Sequence, residues 1–212
     1  MTDPLLLTLS HGAARIIGRT LTELEADQFH KYLELLVKWQ KTTRLIGRTS
    51  PGWIVENLFL DSLVFLRALP ERFQSLLDLG AGAGLPGIPI KIVRPETSLV
   101  LIEARQRRAS FLSAVARELA LASTEVVHAR AEDVVARFAR RFDAVVMRCA
   151  GDTAALIPLA TRLVRPDGAV VVSGPPRHSP RSGSDAEWIE VPGLAELRAG
   201  APRRFRVVRA DS

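Results

Sequence analysis

Three glycines alternate through Gly80-Ala81-Gly82-Ala83-Gly84, directly after the apolar run Leu76-Leu77-Asp78-Leu79. A strand that enters such a turn lets its backbone lie against a ligand, because no Cβ intervenes and positive φ is open to each glycine. Asp78 adds a carboxylate that can accept from the loop amides or face a cationic ligand. Glu103 closes the next apolar run, 19 residues past Gly84, where an acid would accept both hydroxyls of an adenosine ribose. Ala131-Glu132 follows the third run and Arg148 the fourth, at the rim where a doubly wound sheet binds ligands beyond the carboxyl ends of its strands. Taken singly these residues have plainer uses. Glu132 fits the first turn of a helix, where the dipole favours an acid, and Arg148 fits a structural ion pair.

Two cofactor readings compete for the loop. Asp-x-Gly-x-Gly-x-Gly is the order found in S-adenosylmethionine-dependent methyltransferases, whereas Gly82-Ala83-Gly84-Leu85-Pro86-Gly87 formally fits the dinucleotide fingerprint of NAD enzymes. In the second register the strand would have to run through Gly80, and Pro86 would sit inside the phosphate turn. The methyl-donor reading is therefore preferred, and a tight turn with no ligand is the third possibility. On the acceptor side, Met147-Arg148-Cys149-Ala150 lacks the Asn/Asp-Pro-Pro-aromatic tetrad that serves exocyclic amines. As a nucleophile for cytosine C5, Cys149 would need a preceding proline and a second cysteine, so an inert buried thiol fits it better.

The elements that must hold these residues are also legible. Thr22 and Glu25 form a T-x-x-E capping box, and Phe29, Tyr32, Leu33 and Leu36 then recur at helical spacing through about Trp39. Pro51-Gly52 breaks the chain. A second helix is expected from about Trp53 to Leu69, with Ile54, Leu58, Phe65 and Leu69 on one face. Residues 1–70 are thus read as a helical appendage, and 71–212 as a domain in which short apolar runs alternate with helices, the pattern of a parallel α/β sheet. Its expected strands are Ser75–Leu79, Leu99–Glu103, Glu125–His128, Ala144–Met147 and Ala169–Ser173, with two more possible at Trp188–Val191 and Phe205–Val208. Helices are expected near Gly87 and over Arg107–Leu121, Glu132–Phe138 and Thr153–Val164, and a loop over 174–184.

Composition bounds the rest. The chain has 212 residues, 47% hydrophobic and 25% charged, which suits one globular domain with an appendage and excludes disordered or collagen-like sequence. A single cysteine excludes an intrachain disulfide framework and a cysteine-rich zinc cage, and no metal site is expected. No apolar run reaches the roughly 18 residues of a membrane span, and the first residues carry no basic segment of a secretory signal. A cytoplasmic protein without membrane contact is expected. The net charge of +6 comes with only four lysines, leaving 25 arginines. Guanidinium forks suit phosphate, so RNA is a plausible partner; an arginine-rich genome with solvated charges would look the same. Lys38, Lys41, Arg44 and Arg48 are the candidate RNA contacts, while Arg105, Arg107 and Arg108 read as a solvated helix start or a further RNA contact.

From the Tyr32–Trp39 helix through Asp61-Ser62, Gly80–Pro89, Glu103, Ala131-Glu132 and Arg148, the chain resembles one family. These are the guanine-N7 methyltransferases of small-subunit ribosomal RNA, also called glucose-inhibited division protein B. Gly84-Leu85-Pro86-Gly87-Ile88-Pro89, Arg94-Pro95-Glu96 and Leu60-Asp61-Ser62-Leu63 carry the resemblance most specifically. It implies a Rossmann-like class I methyltransferase fold with a seven-stranded, mostly parallel sheet under an N-terminal helical cap. It further implies S-adenosylmethionine as cofactor, held at Gly80, Leu85, Ala131, Glu132 and Arg148, and 16S rRNA in the small ribosomal subunit as partner. Arg148 is also the catalytic candidate, expected to steady the guanine or the cofactor carboxylate, and the protein is expected to be a monomer. The acceptor side departs from the family pattern at Leu58, Gln40 to Ile46, Cys149-Ala150 and Ser173. A paralogue methylating another RNA site or a small molecule, or a non-catalytic ribosome-binding protein, is the alternative.

Overall fold

A strand buried on both faces must be apolar nearly throughout, and Leu76, Leu77 and Leu79 meet that demand at the centre of the sheet. The computed structural model describes residues 4–148, 153–173, 187–192 and 202–210; Cys149 and the expected loop 174–184 lie outside them. Seven strands form one sheet: β1 (Ser75–Leu79), β2 (Ser98–Glu103), β3 (Thr124–His128), β4 (Phe142–Met147), β5 (Val164–Ser173), β6 (Glu187–Val191) and β7 (Arg203–Arg209). Their order is β3-β2-β1-β4-β5-β7-β6. The first five are parallel, β7 runs antiparallel to β5, and β6 antiparallel to β7. Leu77 stands opposite Val100 on one side and Val145 on the other. The strand order reverses between β1 and β4, and a crevice opens beyond the carboxyl ends of strands at such a switch point.

The N-terminal helices α1 (Pro4–Ile17) and α2 (Glu23–Gln40) pack against one face of the sheet. Leu9, Ala13, Phe29, Tyr32 and Leu36 share a single apolar cluster with Leu76, Leu99 and Val146, so the appendage and the sheet bury one common core. The capping box of α2 is present in both directions: the Glu25 amide donates to Thr22 Oγ1 at 3.2 Å, and the Thr22 amide to Glu25 Oε2 at 2.8 Å. Arg19 clamps the same carboxylate at 2.6 Å and also reaches the Val93 carbonyl. Between these helices and the sheet lies α5 (Gly87–Val93), every residue of which is buried. Even Lys91 is buried, its Nζ donating to the carbonyls of Pro95 and Thr97 at 2.6 Å each. Burial holds that ammonium below its ordinary pKa. The opposite face is covered by α7 (Ala131–Phe138) and α8 (Thr153–Leu163).

Three features differ from expectation. The stretch Leu5 to Leu9 belongs to α1, whose buried face is Leu9, Gly12, Ala13 and Ile16. The second N-terminal helix is composite: α3 (Pro51–Ile54), a π turn (Val55–Leu60), α4 (Asp61–Leu63) and a 3-10 turn (Val64–Arg67). The four residues expected on one face, Ile54, Leu58, Phe65 and Leu69, are nonetheless all buried. Finally, β5 begins at Val164 instead of Ala169, because a register shift between Phe142 and Ala144 on β4 absorbs Arg165 to Gly168. The strand expected at 188–191 is seen as β6.

Candidate active site

At the carboxyl end of β1 the chain folds over on itself and ties its amides inward. Gly80 and Ala81 donate to the Ile102 carbonyl at 2.9 Å each, while Gly84 and Leu85 donate to the Ala81 carbonyl. Gly82 donates to Glu103 Oε2 at 2.9 Å, and the other oxygen of Glu103 accepts from the Arg105 amide at 2.8 Å. Two of these glycines have positive φ and differ in what surrounds them. Gly84 has φ +86°, and a Cβ there would lie 2.3 Å from Ile88 Cδ1; Gly82 has φ +58°, but a Cβ on it would meet nothing closer than 3.8 Å. A Cβ at Gly82 would thus make only ordinary contacts, with Arg108 Nη1 and the Gly80 carbonyl oxygen at 3.8 Å each.

A side chain from the N-terminal helices holds this loop from behind. The Tyr32 hydroxyl donates to the Ala83 carbonyl, and its ring, fully buried, stacks on Phe59 with centroids 5.0 Å apart. Periodicity placed Tyr32 among the apolar residues of α2 and gave no sign of this contact. Removing the hydroxyl leaves a buried carbonyl unpaired, which costs about 1–3 kcal/mol. Tyr32→Phe is expected to lower the denaturation midpoint accordingly and to loosen the loop, measured as faster amide exchange at Gly84 and Leu85.

Asp78 lies wholly inside. Its Oδ2 accepts from the Gly87 amide at 2.8 Å, and Oδ1 has no protein partner. Burial pushes its pKa up to about 7; the Gly87 amide and the Arg148 charge pull it down, and Glu103 pushes it further up. The folded state thus holds a proton that the unfolded chain releases near its ordinary value of 3.8. Stability from this group is full below that value and declines as pH rises towards 7, with no further change above. In Asp78→Asn that part of the slope is expected to vanish from chemical denaturation series between pH 4 and 8.

Beside the loop, Leu79, Gly80, Ile102, Ala131, Glu132 and Leu156 are among the residues that line a cavity of about 220 Å³ at the carboxyl end of the sheet. Ile102 and Ala104, on either side of Glu103 in the chain, line it, and Glu103 itself does not. Leu85 points into the core instead. A larger cleft, about 800 Å³, lies between the α1–α2 turn and the end of α5; Arg94, Pro95 and Glu96 line it, but none of the expected cofactor or RNA contacts do.

Arg148 does not stand at the mouth as an open cation. Its Nη2 pairs with Asp61 Oδ2 at 3.1 Å and donates to the Asn57 carbonyl at 2.8 Å, while Nη1 reaches Ser62 Oγ at 3.2 Å and the Leu58 carbonyl at 3.4 Å. Asp61 also takes Arg203, from Nε at 2.7 Å and Nη2 at 3.2 Å. The side chains of Arg148, Asp61 and Arg203 are only 10%, 3% and 11% exposed. The π turn brings these carbonyls to Arg148, and the acid inside the apolar run Leu60-Asp61-Ser62-Leu63 was the one local hint of a buried partner.

Lys38, Lys41, Arg44 and Arg48 are all exposed, at the end of α2 and in the loop after it. The Arg44 carbonyl accepts from Arg108, which stands beside Gly82. Arg48 lies over the Trp53 ring, whereas Lys38 and Lys41 edge an apolar groove between α1 and α2. Among the described residues no cluster of three His, Cys, Asp or Glu could hold a metal ion, and no helix is long and apolar enough to cross a membrane.

A mostly parallel sheet in this order, with a glycine cradle after β1 and an acid closing β2, defines a Rossmann-like class I methyltransferase fold. A SAM-dependent methyltransferase from Aquifex aeolicus shares it, with a TM-score of 0.53 at 11% identity over 74% of this chain and 93% of that one. The family model for GidB, rRNA small subunit methyltransferase G, matches residues 25–174, and the chain belongs to that family. Ribosomal RNA small subunit methyltransferase G of Alkalilimnicola ehrlichii is 36% identical over 204 residues, covering 92% of this chain and 90% of that protein. Its counterpart in Leuconostoc citreum is 36% identical over 160 residues, 73% of this chain and 67% of its own length.

Proposed function

We propose that this chain transfers a methyl group from S-adenosylmethionine to N7 of a guanine in 16S rRNA, acting on the small ribosomal subunit as a cytoplasmic monomer without a metal ion. The observation that carries the reading is the cavity edged by Gly80, Ala131 and Glu132 beside the glycine turn, at the β1/β4 switch point. Asp78, Gly80, Gly82, Gly84, Leu85, Glu103, Ala131 and Glu132 build that donor site. Gly84 and Leu85 act by shaping the turn, and Glu103 by facing the ribose hydroxyls.

When bound, the donor supplies a methyl carbon made electrophilic by its sulfonium. Guanine N7 carries an in-plane lone pair and no proton, so a new N7–carbon bond forms as the carbon–sulfur bond breaks, and the positive charge passes to the purine. Neither a general base nor a Lewis acid is needed to start it. The protein's part is orientation, which is worth roughly 7–11 kcal/mol in favourable cases. Glu103 sets negative charge near a donor with two cationic centres, and Asp78 holds the turn through the Gly87 amide. Arg148 acts as a positioning residue: it pins the π turn to the end of β4 and so holds one wall of the acceptor side.

The basic residues Lys38, Lys41, Arg44 and Arg48 take the RNA phosphates in this reading. Affinity for small-subunit RNA should then fall with salt at a log–log slope of about −0.7 to −0.9 per phosphate neutralised. Neutralising Lys41 and Arg44 is expected to flatten that slope by about one unit per lost contact, with donor affinity unchanged. Filter binding across a salt series checks this; an unaltered slope would return these residues to the solvated surface. The activity itself is tested by calorimetry with S-adenosylmethionine, followed by labelled-methyl transfer to undermethylated small subunits. Donor binding with transfer supports the proposal, and donor binding without transfer to any ribosomal RNA contradicts it.

A further inference from the structure

Arg108 sits on the first turn of α6 (Gln106–Glu118) and turns back over the glycine loop. Its Nη1 lies 3.8 Å from the point a Cβ on Gly82 would occupy, and the Gly80 carbonyl oxygen bounds the same point at 3.8 Å. Its Nη2 donates to the Arg44 carbonyl at 3.2 Å, and no described residue forms an ion pair with it. A ligand filling the space against Gly82 therefore meets a guanidinium fork.

The rest of the site makes that fork necessary. The donor of the proposed reaction carries a sulfonium, an ammonium and one anion, its α-carboxylate. The amides of Gly80, Ala81, Gly82, Gly84 and Leu85 are already spent on Ile102, Glu103 and Ala81, so the loop has few amides left for an oxyanion. Glu103 favours the cationic centres and repels the carboxylate. Of the other arginines near the site, Arg148 is committed to Asp61, Ser62 and two carbonyls, and Arg130 lines the cavity beside Ala131 and Glu132, whereas Arg108 is the one set against Gly82. We infer that Arg108 binds the α-carboxylate of the methyl donor, with the Arg44 carbonyl orienting its fork. The two arginines thus stand at the seam between the donor site and the basic loop after α2.

This inference rests on the donor reading above, and one calorimetric experiment separates the two. Wild type, Arg108→Gln and Arg108→Lys are titrated with S-adenosylmethionine and with its decarboxylated form, which differs only in the group at issue. A charge-assisted contact of this kind predicts that Arg108→Gln weakens S-adenosylmethionine about 10- to 100-fold and leaves the decarboxylated ligand within about twofold, while Arg108→Lys recovers part of the loss. Equal weakening of both ligands would overturn the inference, because it would mean a disturbed loop. Unchanged donor affinity would also overturn it, and if small-subunit RNA binding fell instead, Arg108 would belong to a phosphate. A wild type that binds neither ligand overturns the donor reading together with this inference, whereas a wild type that binds both with no difference on substitution overturns this inference alone.

Discussion

Gly82→Val is expected to weaken donor binding while the fold survives. The protein atoms nearest its Cβ, Arg108 Nη1 and the Gly80 carbonyl oxygen, lie at an ordinary contact distance of 3.8 Å, and Arg108 Nη1 is the end of a flexible side chain. The substitution therefore acts on what enters the space, together with the strain of a β-branched residue at φ +58°, about 1–3 kcal/mol. That strain is common to free and bound protein and lowers stability, whereas overpacking against the ligand costs about 1–3 kcal/mol of binding, roughly a 5- to 150-fold loss of affinity. Gly84→Val makes the contrast. Its Cβ would strike Ile88 Cδ1 at 2.3 Å, inside the core, so the expected result there is a lower melting temperature. Calorimetry and thermal melts on the two variants separate a ligand cradle from a structural turn; wild-type affinity in Gly82→Val would mean that the loop holds no ligand.

Asp61→Ala is expected to have the largest effect on stability. One carboxylate serves two guanidiniums, all three nearly out of solvent, and the groups come from the composite helix, the end of β4 and the start of β7. Removing the shared partner leaves buried positive charge uncompensated, which costs about 3–5 kcal/mol. Phe65 and Phe205, in edge contact at 4.8 Å, join the same helix and strand and limit how far they can separate. Because Arg203 and Arg148 share Asp61, the effects should not add: Arg203→Met in the Asp61→Ala background is expected to restore part of the stability. Denaturant midpoints of the single and double variants read this directly, and a loss under about 1 kcal/mol would show that solvent reaches the triad.

The parts legible in the sequence are those whose cause is local. A glycine turn after an apolar strand, an acid at the end of the next strand and the Thr22–Glu25 box each need only a few neighbouring residues, and all three stand where they were expected. The missed parts depend on distance. Tyr32 and Ala83 are 51 residues apart, and Asp61 and Arg203 are 142 apart; nothing near either member announces its partner. For Arg148 both a ligand contact and a structural ion pair were open in the sequence; the structure shows the pair, and the π turn that supplies its other acceptors leaves no mark in residue type. The helix α1 was hidden for a different reason: Leu5, Leu6, Leu7 and Leu9 crowd its start and blur the face, set by Leu9, Ala13 and Ile16, that packs against the core.

The central claim is methyl transfer to guanine N7 in the small subunit, and it is tested most directly by mapping N7-methylguanine in small-subunit RNA. The samples come from the source strain, from a strain lacking this gene, and from that strain complemented with wild type or Gly82→Val. The account expects one N7-methylguanine that disappears on deletion, returns with wild type and returns less fully with Gly82→Val. An N7-methylguanine map unchanged by the deletion would contradict it.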